Sequence, residues 1–234
     1  MSIAPLHVVQ TAPELRRPPG LVERLMGEGM IGFPSPPIPL KSGMSAPMYV
    51  NWRKVLGNVA FRNAVVTFLQ NASPDFITKV CDVPVRDVIF AGVATGGISV
   101  PAMLADRLGV PFCYIPKDEK GHGLPETVVG TDVSGRKVIL FEDVVTMATS
   151  SAPAVAALKA AGGDVRACIS FFNYEFPEAA EAFKNFGVLH RSLCCFTDVK
   201  HYLQRDRLKL ASALAEWHKD PWLWTDRMEG RTTL

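Results

Sequence analysis

From residue 88 onward the chain alternates short apolar runs with helical stretches, and no other feature restricts its fold as much. Residues 88–91, 111–115, 138–141, 165–172 and 188–195 are β-type runs. Between them lie a stretch ending at Leu108-Gly109, an alanine-rich stretch over 152–161 stopped by Gly162-Gly163, and a stretch over 177–186 with Pro177 at its start and Gly187 at its end. Residues 198–218 read as mostly helical. Strands alternating with helices form βαβ units, and such units build a parallel sheet with helices on both faces. The expected class is therefore α/β. In such sheets ligands sit beyond the carboxyl ends of the strands. The segments after Ala91, Ile115, Phe141 and Phe172 are the ones to read for chemistry.

The N-terminal part is less regular. Residues 1–20 are proline-bearing and aperiodic and read as a loose arm. Leu21, Val22, Leu25 and Met26 have helical spacing. Residues 33–39 hold too much proline for a central strand. Asn58 suits the cap of a helix carrying Phe61, Val65, Phe68 and Leu69 on one face. The expected division is an arm over 1–20, one domain over 21–218 with a small hood over 21–57, and a tail over 219–234. A chain of 234 residues buries roughly 70–75% of its unfolded surface and needs no disulfide or metal staple.

Composition excludes several classes. The 25 Lys and Arg against 23 Asp and Glu leave a formal charge of +2, which argues against a nucleic-acid-coating or polybasic membrane protein. The five cysteines, Cys81, Cys113, Cys168, Cys194 and Cys195, are odd in number and mostly in apolar runs, so they read as buried thiols of a reducing compartment. No basic stretch precedes an apolar core near the start, so no secretory leader is expected. The longest uncharged run, 88–105, is broken by Gly92, Gly96, Gly97 and Pro101 and reads as strand, turn and helix rather than a membrane span. His190, Cys194, Cys195 and His201 match no zinc spacing.

Three strand ends carry chemistry. After Phe141 come Glu142-Asp143 and then Val144-Val145-Thr146-Met147-Ala148-Thr149-Ser150. Paired acids at a strand end suit Mg²⁺ or ribose hydroxyls. The small hydroxyl-bearing loop and the helix start behind it suit a phosphate. The same residues also suit a solvated turn before a capped helix. After Ala91, Gly92-Val93-Ala94-Thr95-Gly96-Gly97-Ile98 lets backbone amides approach an anion, although a tight βα turn uses glycine equally well. No Gly-Lys-Ser/Thr follows, so it is not a Walker A loop, and Ser99 lacks the last glycine of a nucleophile elbow. After Ile115, Lys117, Lys120 and His122 stand on a glycine-loosened loop, as anion donors or as a solvated surface.

Together these segments resemble orotate phosphoribosyltransferases, of the type I phosphoribosyltransferase family, over most of the chain. The markers are Leu40-Lys41-Ser42-Gly43 with Pro47 and Tyr49, the Gly92 to Ile98 run, Lys117-Asp118-Glu119-Lys120-Gly121-His122-Gly123, and Glu142-Asp143 with its loop. The resemblance implies a type I fold: a central, mostly parallel five-stranded sheet flanked by helices, with an N-terminal hood. It implies transfer of the phosphoribosyl group of phosphoribosyl pyrophosphate (PRPP) to orotate, giving orotidine 5′-monophosphate and pyrophosphate. Mg²⁺ would arrive with PRPP, and the protein would be a cytoplasmic homodimer whose mobile loop serves the neighbouring site, with no nucleic acid and no membrane as partner.

On this resemblance Lys120, His122 and Asp143 are catalytic. Lys117, Glu142, Asp143, Thr146, Met147, Ala148, Thr149, Ser150, Thr95 and Gly96 hold PRPP, and Lys41 and Tyr49 meet orotate or pyrophosphate. Three positions depart from the family. Pro116 stands where Arg is usual, and Ala148 where Gly is usual. Phe172-Asn173-Tyr174 stands where one branch carries an arginine for the orotate carboxylate. A transferase for another base, or a non-catalytic PRPP-binding regulator, is the competing expectation.

Overall fold

The structure, a computed structural model, describes residues 15, 17–40, 43–117 and 127–228. The chain starts with α1 (Leu21–Gly27) and the hood strands β1 (Ile31–Gly32), β2 (Ile38–Pro39), β3 (Ser45–Ala46) and β4 (Tyr49–Val50). A 3-10 turn, Trp52–Gly57, leads into α2 (Val59–Cys81). The sheet units follow as β5 (Ile89–Val93), α3 (Ser99–Leu108), β6 (Phe112–Ile115), β7 (Val129–Gly130), β8 (Lys137–Val145), α4 (Ser151–Ala160), β9 (Asp164–Asn173), α5 (Pro177–Asn185) and β10 (Leu189–Cys195). The chain closes with α6 (Phe196–Asp206), α7 (Leu208–Lys219) and α8 (Pro221–Met228).

The five runs read from the sequence all form strands, in the spatial order β10-β9-β8-β5-β6 and all parallel. Every residue of β5 is buried, as a strand covered on both faces requires. The expected count of five is corrected to six, because β7 pairs antiparallel with β6 at the edge, Cys113 opposite Gly130 and Tyr114 opposite Val129. Two residues carry no period, so β7 had no sequence signal.

One face of the sheet packs under α2, α3 and the hood in a cluster that includes Phe90, Phe141, Ile169 and Phe171, with Trp52 stacked on Phe171 at 4.5 Å. The other face packs on α4 and α5 through Leu140, Val155, Leu158 and Phe183. The Asn58 cap is as expected: its side chain accepts a hydrogen bond from the Phe61 amide at 2.9 Å. Both ends of the described chain pack against the rest of the domain. Leu15 is buried and Arg17 meets Asp198 at 2.6 Å, so the described end of the arm docks on α6. The expected tail contains α8, with Thr225 fully buried. Among the described residues no helix is long and apolar enough to cross a membrane.

Candidate active site

The chain leaves β5 for β6 on one side of the sheet and places β8 on the other side of β5, so the strand order reverses between β5 and β8. The cavity lies beyond that reversal, where open α/β sheets bind ligands. Its volume is about 340 Å³. The floor is Ala94, Thr95 and Gly96 after β5, with Glu142, Asp143 and Val144 on β8. Thr146, Thr149 and Ser150 form one side, and Lys117 and Tyr174 stand at the ends of β6 and β9. The hood closes over it with Pro39, Leu40 and the run from Tyr49 to Arg53.

Asp143 is at the centre. Its Oδ1 accepts the Val144 amide at 2.9 Å and its Oδ2 lies 3.7 Å from Nε of Arg53. The carboxylate rests directly on Gly96: a Cβ placed there would lie 1.8 Å from Oδ2. Glycine is therefore required by close approach rather than by a special φ. Gly97 is held in the same way, since a Cβ would meet the Phe141 carbonyl oxygen at 2.6 Å. The β5–α3 loop is thus pressed onto β8, with Thr95 and Asp143 both lining the cavity.

The two acids differ in environment. Glu142 is 3% exposed; its Oε1 accepts the Asp143 amide at 3.1 Å and its Oε2 accepts the Ser151 hydroxyl at 3.0 Å. Burial pushes the Glu142 carboxyl well above the ordinary carboxylate range, and its hydrogen bond and repulsion with Asp143 push the same way. Ser151 and the Asp143 amide offset part of this. Glu142 thereby braces the strand end, tying β8 to the first turn of α4, while Asp143 faces the cavity. Among the described residues there is no cluster of three or more His, Cys, Asp or Glu able to cage a metal. Asp143 with Glu142 behind it still suits Mg²⁺ held mainly by substrate phosphates, since that ion commonly uses one or two carboxylates.

Thr95, Gly96, Lys117, Glu142, Asp143, Thr146, Thr149, Ser150 and Tyr49 are brought together on this cavity. Lys41, Lys120 and His122 lie outside the described residues. Met147 packs against the larger core, and Ala148 is buried in the smaller one. Neither of the two lines the cavity. Ala148 has φ +57, the left-handed conformation that favours glycine.

Sequence reading missed Asn51, Trp52 and Arg53, which lie in an aperiodic hood with no strand-end signal. Tyr174 was noted only as standing in place of an arginine. It is fully buried, its hydroxyl 3.2 Å from the Met48 carbonyl oxygen, and burial raises its phenol far above the ordinary value.

Comparison with known proteins gives a consistent result. The model of the phosphoribosyl transferase domain matches residues 76–203. An orotate phosphoribosyltransferase of Sinorhizobium fredii is 33% identical over 202 residues, 85% of each chain. One from Bacteroides thetaiotaomicron is 32% identical over 215 residues, 87% of this chain and 97% of that one. The crystal structure of an orotate phosphoribosyltransferase from Aeropyrum pernix superposes with a TM-score of 0.64 at 26% identity, covering 79% of this chain and 98% of that one.

Proposed function

The chain belongs to the phosphoribosyltransferase family, in its orotate branch, and from that premise we propose how its own residues carry out the transfer. The reaction moves the phosphoribosyl group of PRPP to N1 of orotate. The bond from ribose C1 to the pyrophosphate oxygen breaks, a C1–N1 bond forms and orotate N1 gives up its proton, giving orotidine 5′-monophosphate and pyrophosphate. Positive charge develops on the ribose while the leaving group gains negative charge. The protein therefore contributes by charge placement and water exclusion more than by a nucleophile.

The observation that carries the assignment is Asp143, seated on Gly96 between the hydroxyl loop and the hood. Its carboxylate accepts from ribose hydroxyls and faces the developing positive charge. Thr146, Thr149 and Ser150, with the N-terminus of α4, receive the 5′-phosphate. Backbone amides around Thr95 and Gly96, with Lys117 and Arg53, face pyrophosphate. Lys120 and His122 remain assigned to pyrophosphate, and Lys41 and Tyr49 to orotate or pyrophosphate, on the family resemblance. Mg²⁺, when bound with PRPP, would offset part of its phosphate charge beside Asp143. The protein is further taken to be a cytoplasmic homodimer; its free, buried cysteines support a reducing compartment.

The metal dependence is the direct test. With PRPP and orotate present, removal of Mg²⁺ by a chelator should stop formation of orotidine 5′-monophosphate, and added Mg²⁺ should restore it. Full turnover in chelator would refute the Mg²⁺ requirement. PRPP binding with no turnover of any base would favour the non-catalytic reading.

A further inference from the structure

Two adjacent residues of α7 hold opposite walls of the cavity. The Trp217 indole N–H donates to the Ser45 carbonyl oxygen at 2.9 Å, on the hood. His218 Nε2 lies 2.6 Å from the Tyr174 carbonyl oxygen, just beyond the end of β9. From α8, the Thr225 hydroxyl oxygen accepts the Ser45 amide at 2.9 Å while donating to the Pro221 carbonyl at 2.7 Å. Both backbone polar groups of Ser45 are thus taken by side chains more than 170 positions away in the chain, and Trp217 and Thr225 are both completely buried. Ser45 lies opposite Pro39 in the β2–β3 hairpin, and Pro39 and Leu40 line the cavity. The Tyr174 hydroxyl completes the ring by donating to the Met48 carbonyl oxygen.

The underlying packing is aromatic. The His218 ring stacks on Phe196 at 4.1 Å and on Phe176 at 4.9 Å, and Trp217 packs edge-on against Tyr174 and Phe176. The β2–β3 hairpin has only two residues per strand, and a two-stranded ribbon of this size has little stability of its own. Its position must come from what grips it.

We propose that α7 and α8 clamp the β2–β3 hairpin against the end of β9, and that Trp217 and Thr225 are positioning residues for the orotate end of the cavity. This rests on the reading that the hairpin, between whose strands Lys41 falls in the sequence, walls the base. The contacts that hold PRPP come from β5, β8 and their loops, with Lys117 after β6 and Arg53 in the 3-10 turn beyond the β2–β3 hairpin, so losing the clamp should act on orotate selectively.

The test is steady-state kinetics of the full chain, varying orotate and PRPP separately. Thr225→Val keeps the shape and removes both hydrogen bonds; Thr225→Ser keeps them. Trp217→Phe removes the N–H donor and leaves Thr225 in place, and it carries the same comparison if Thr225→Val does not fold. The expected result is a rise of about tenfold in orotate KM, equivalent to about 1.4 kcal/mol, with PRPP KM changed less than about twofold and Thr225→Ser near parental. An unchanged orotate KM, or an equal rise in both constants, overturns the clamp. Lys41→Ala separates the premise from the inference. If it leaves orotate KM unchanged, the base assignment of the hairpin fails, and hydrogen exchange at residues 38–46 decides the clamp alone. Faster exchange there in Thr225→Val supports it, and unchanged exchange overturns it.

Discussion

Replacing Gly96 by alanine should disable the enzyme through Asp143 without unfolding it. The added Cβ would lie 1.8 Å from Oδ2, 2.3 Å from Cγ and 2.8 Å from Cβ of Asp143. Because the Asp143 Cβ is among the clashing atoms, rotating the carboxylate alone does not clear the space. An ordinary contact of 3.4 Å requires Oδ2 to retreat by about 1.6 Å. Unit charges about 4 Å apart at an effective dielectric constant near 20 interact by about 4 kcal/mol, or about three orders of magnitude in rate. The ribose carries only part of a charge in the transition state, so Asp143→Asn should lower kcat/KM by about 10²- to 10³-fold. A misplacement beyond 1 Å costs about 10²-fold, which is the expectation for Gly96→Ala. The double variant is the discriminating assay. If both changes act on one carboxylate, Gly96→Ala should add little once Asp143 is neutral, and the loss stays at about 10²- to 10³-fold. Independent losses would multiply to about 10⁴- to 10⁵-fold. A near-parental Gly96→Ala enzyme, or multiplicative losses, would refute the reasoning; circular dichroism checks that all variants remain folded.

Arg53→Ala should raise PRPP KM by about tenfold, since it removes a hood cation within 3.7 Å of Asp143; an unchanged PRPP KM would remove Arg53 from the site. Ala148→Gly should change stability by less than about 1 kcal/mol, because relief at φ +57 is offset by a lost buried methyl and a more flexible unfolded chain. Its PRPP KM should stay within about twofold, as the methyl faces the core, and a large change in either quantity would contradict that placement. His190, half-buried, bonded to Ser170 at 2.8 Å and stacked on Phe183, has its pKa lowered to about 4 by desolvation and then by Arg191. The folded state thus binds the proton less readily than the unfolded chain, whose histidine titrates near about 6.5. Stability contributed by neutral His190 is complete above that value and falls by up to about 3 kcal/mol as pH drops from about 6.5 to 4. Thermal melts of His190→Gln should show a flatter profile in that window, and an identical profile would count against the assignment.

The sheet was legible because its signal is periodic and redundant. Five apolar runs, four of them followed by a helix, leave few topologies, and the rule that ligands sit at strand ends then pointed to Thr95, Lys117, Asp143, Thr149 and Ser150, which line the cavity. The hood was not legible. Its strands have two residues each, and their positions depend on contacts such as Ser45 with Thr225, which no local pattern announces. Arg53 was missed for the same reason. Glu142 and Asp143 are equivalent in sequence, and only the register of β8 against β9 and the Ser151 hydroxyl separate a buried brace from a half-buried acceptor on the cavity. The departure at Ala148 was visible as a missing glycine, yet only the backbone angle tells that the left-handed conformation is kept.

Base selectivity tests the central claim most directly. The absorbance change of orotate should be followed with purified protein, PRPP and Mg²⁺, beside parallel reactions with uracil and hypoxanthine. The account predicts consumption of orotate only when PRPP is present, with one pyrophosphate released per orotate consumed and negligible turnover of the other two bases. Equal turnover of uracil or hypoxanthine, or no pyrophosphate release with orotate, would contradict it.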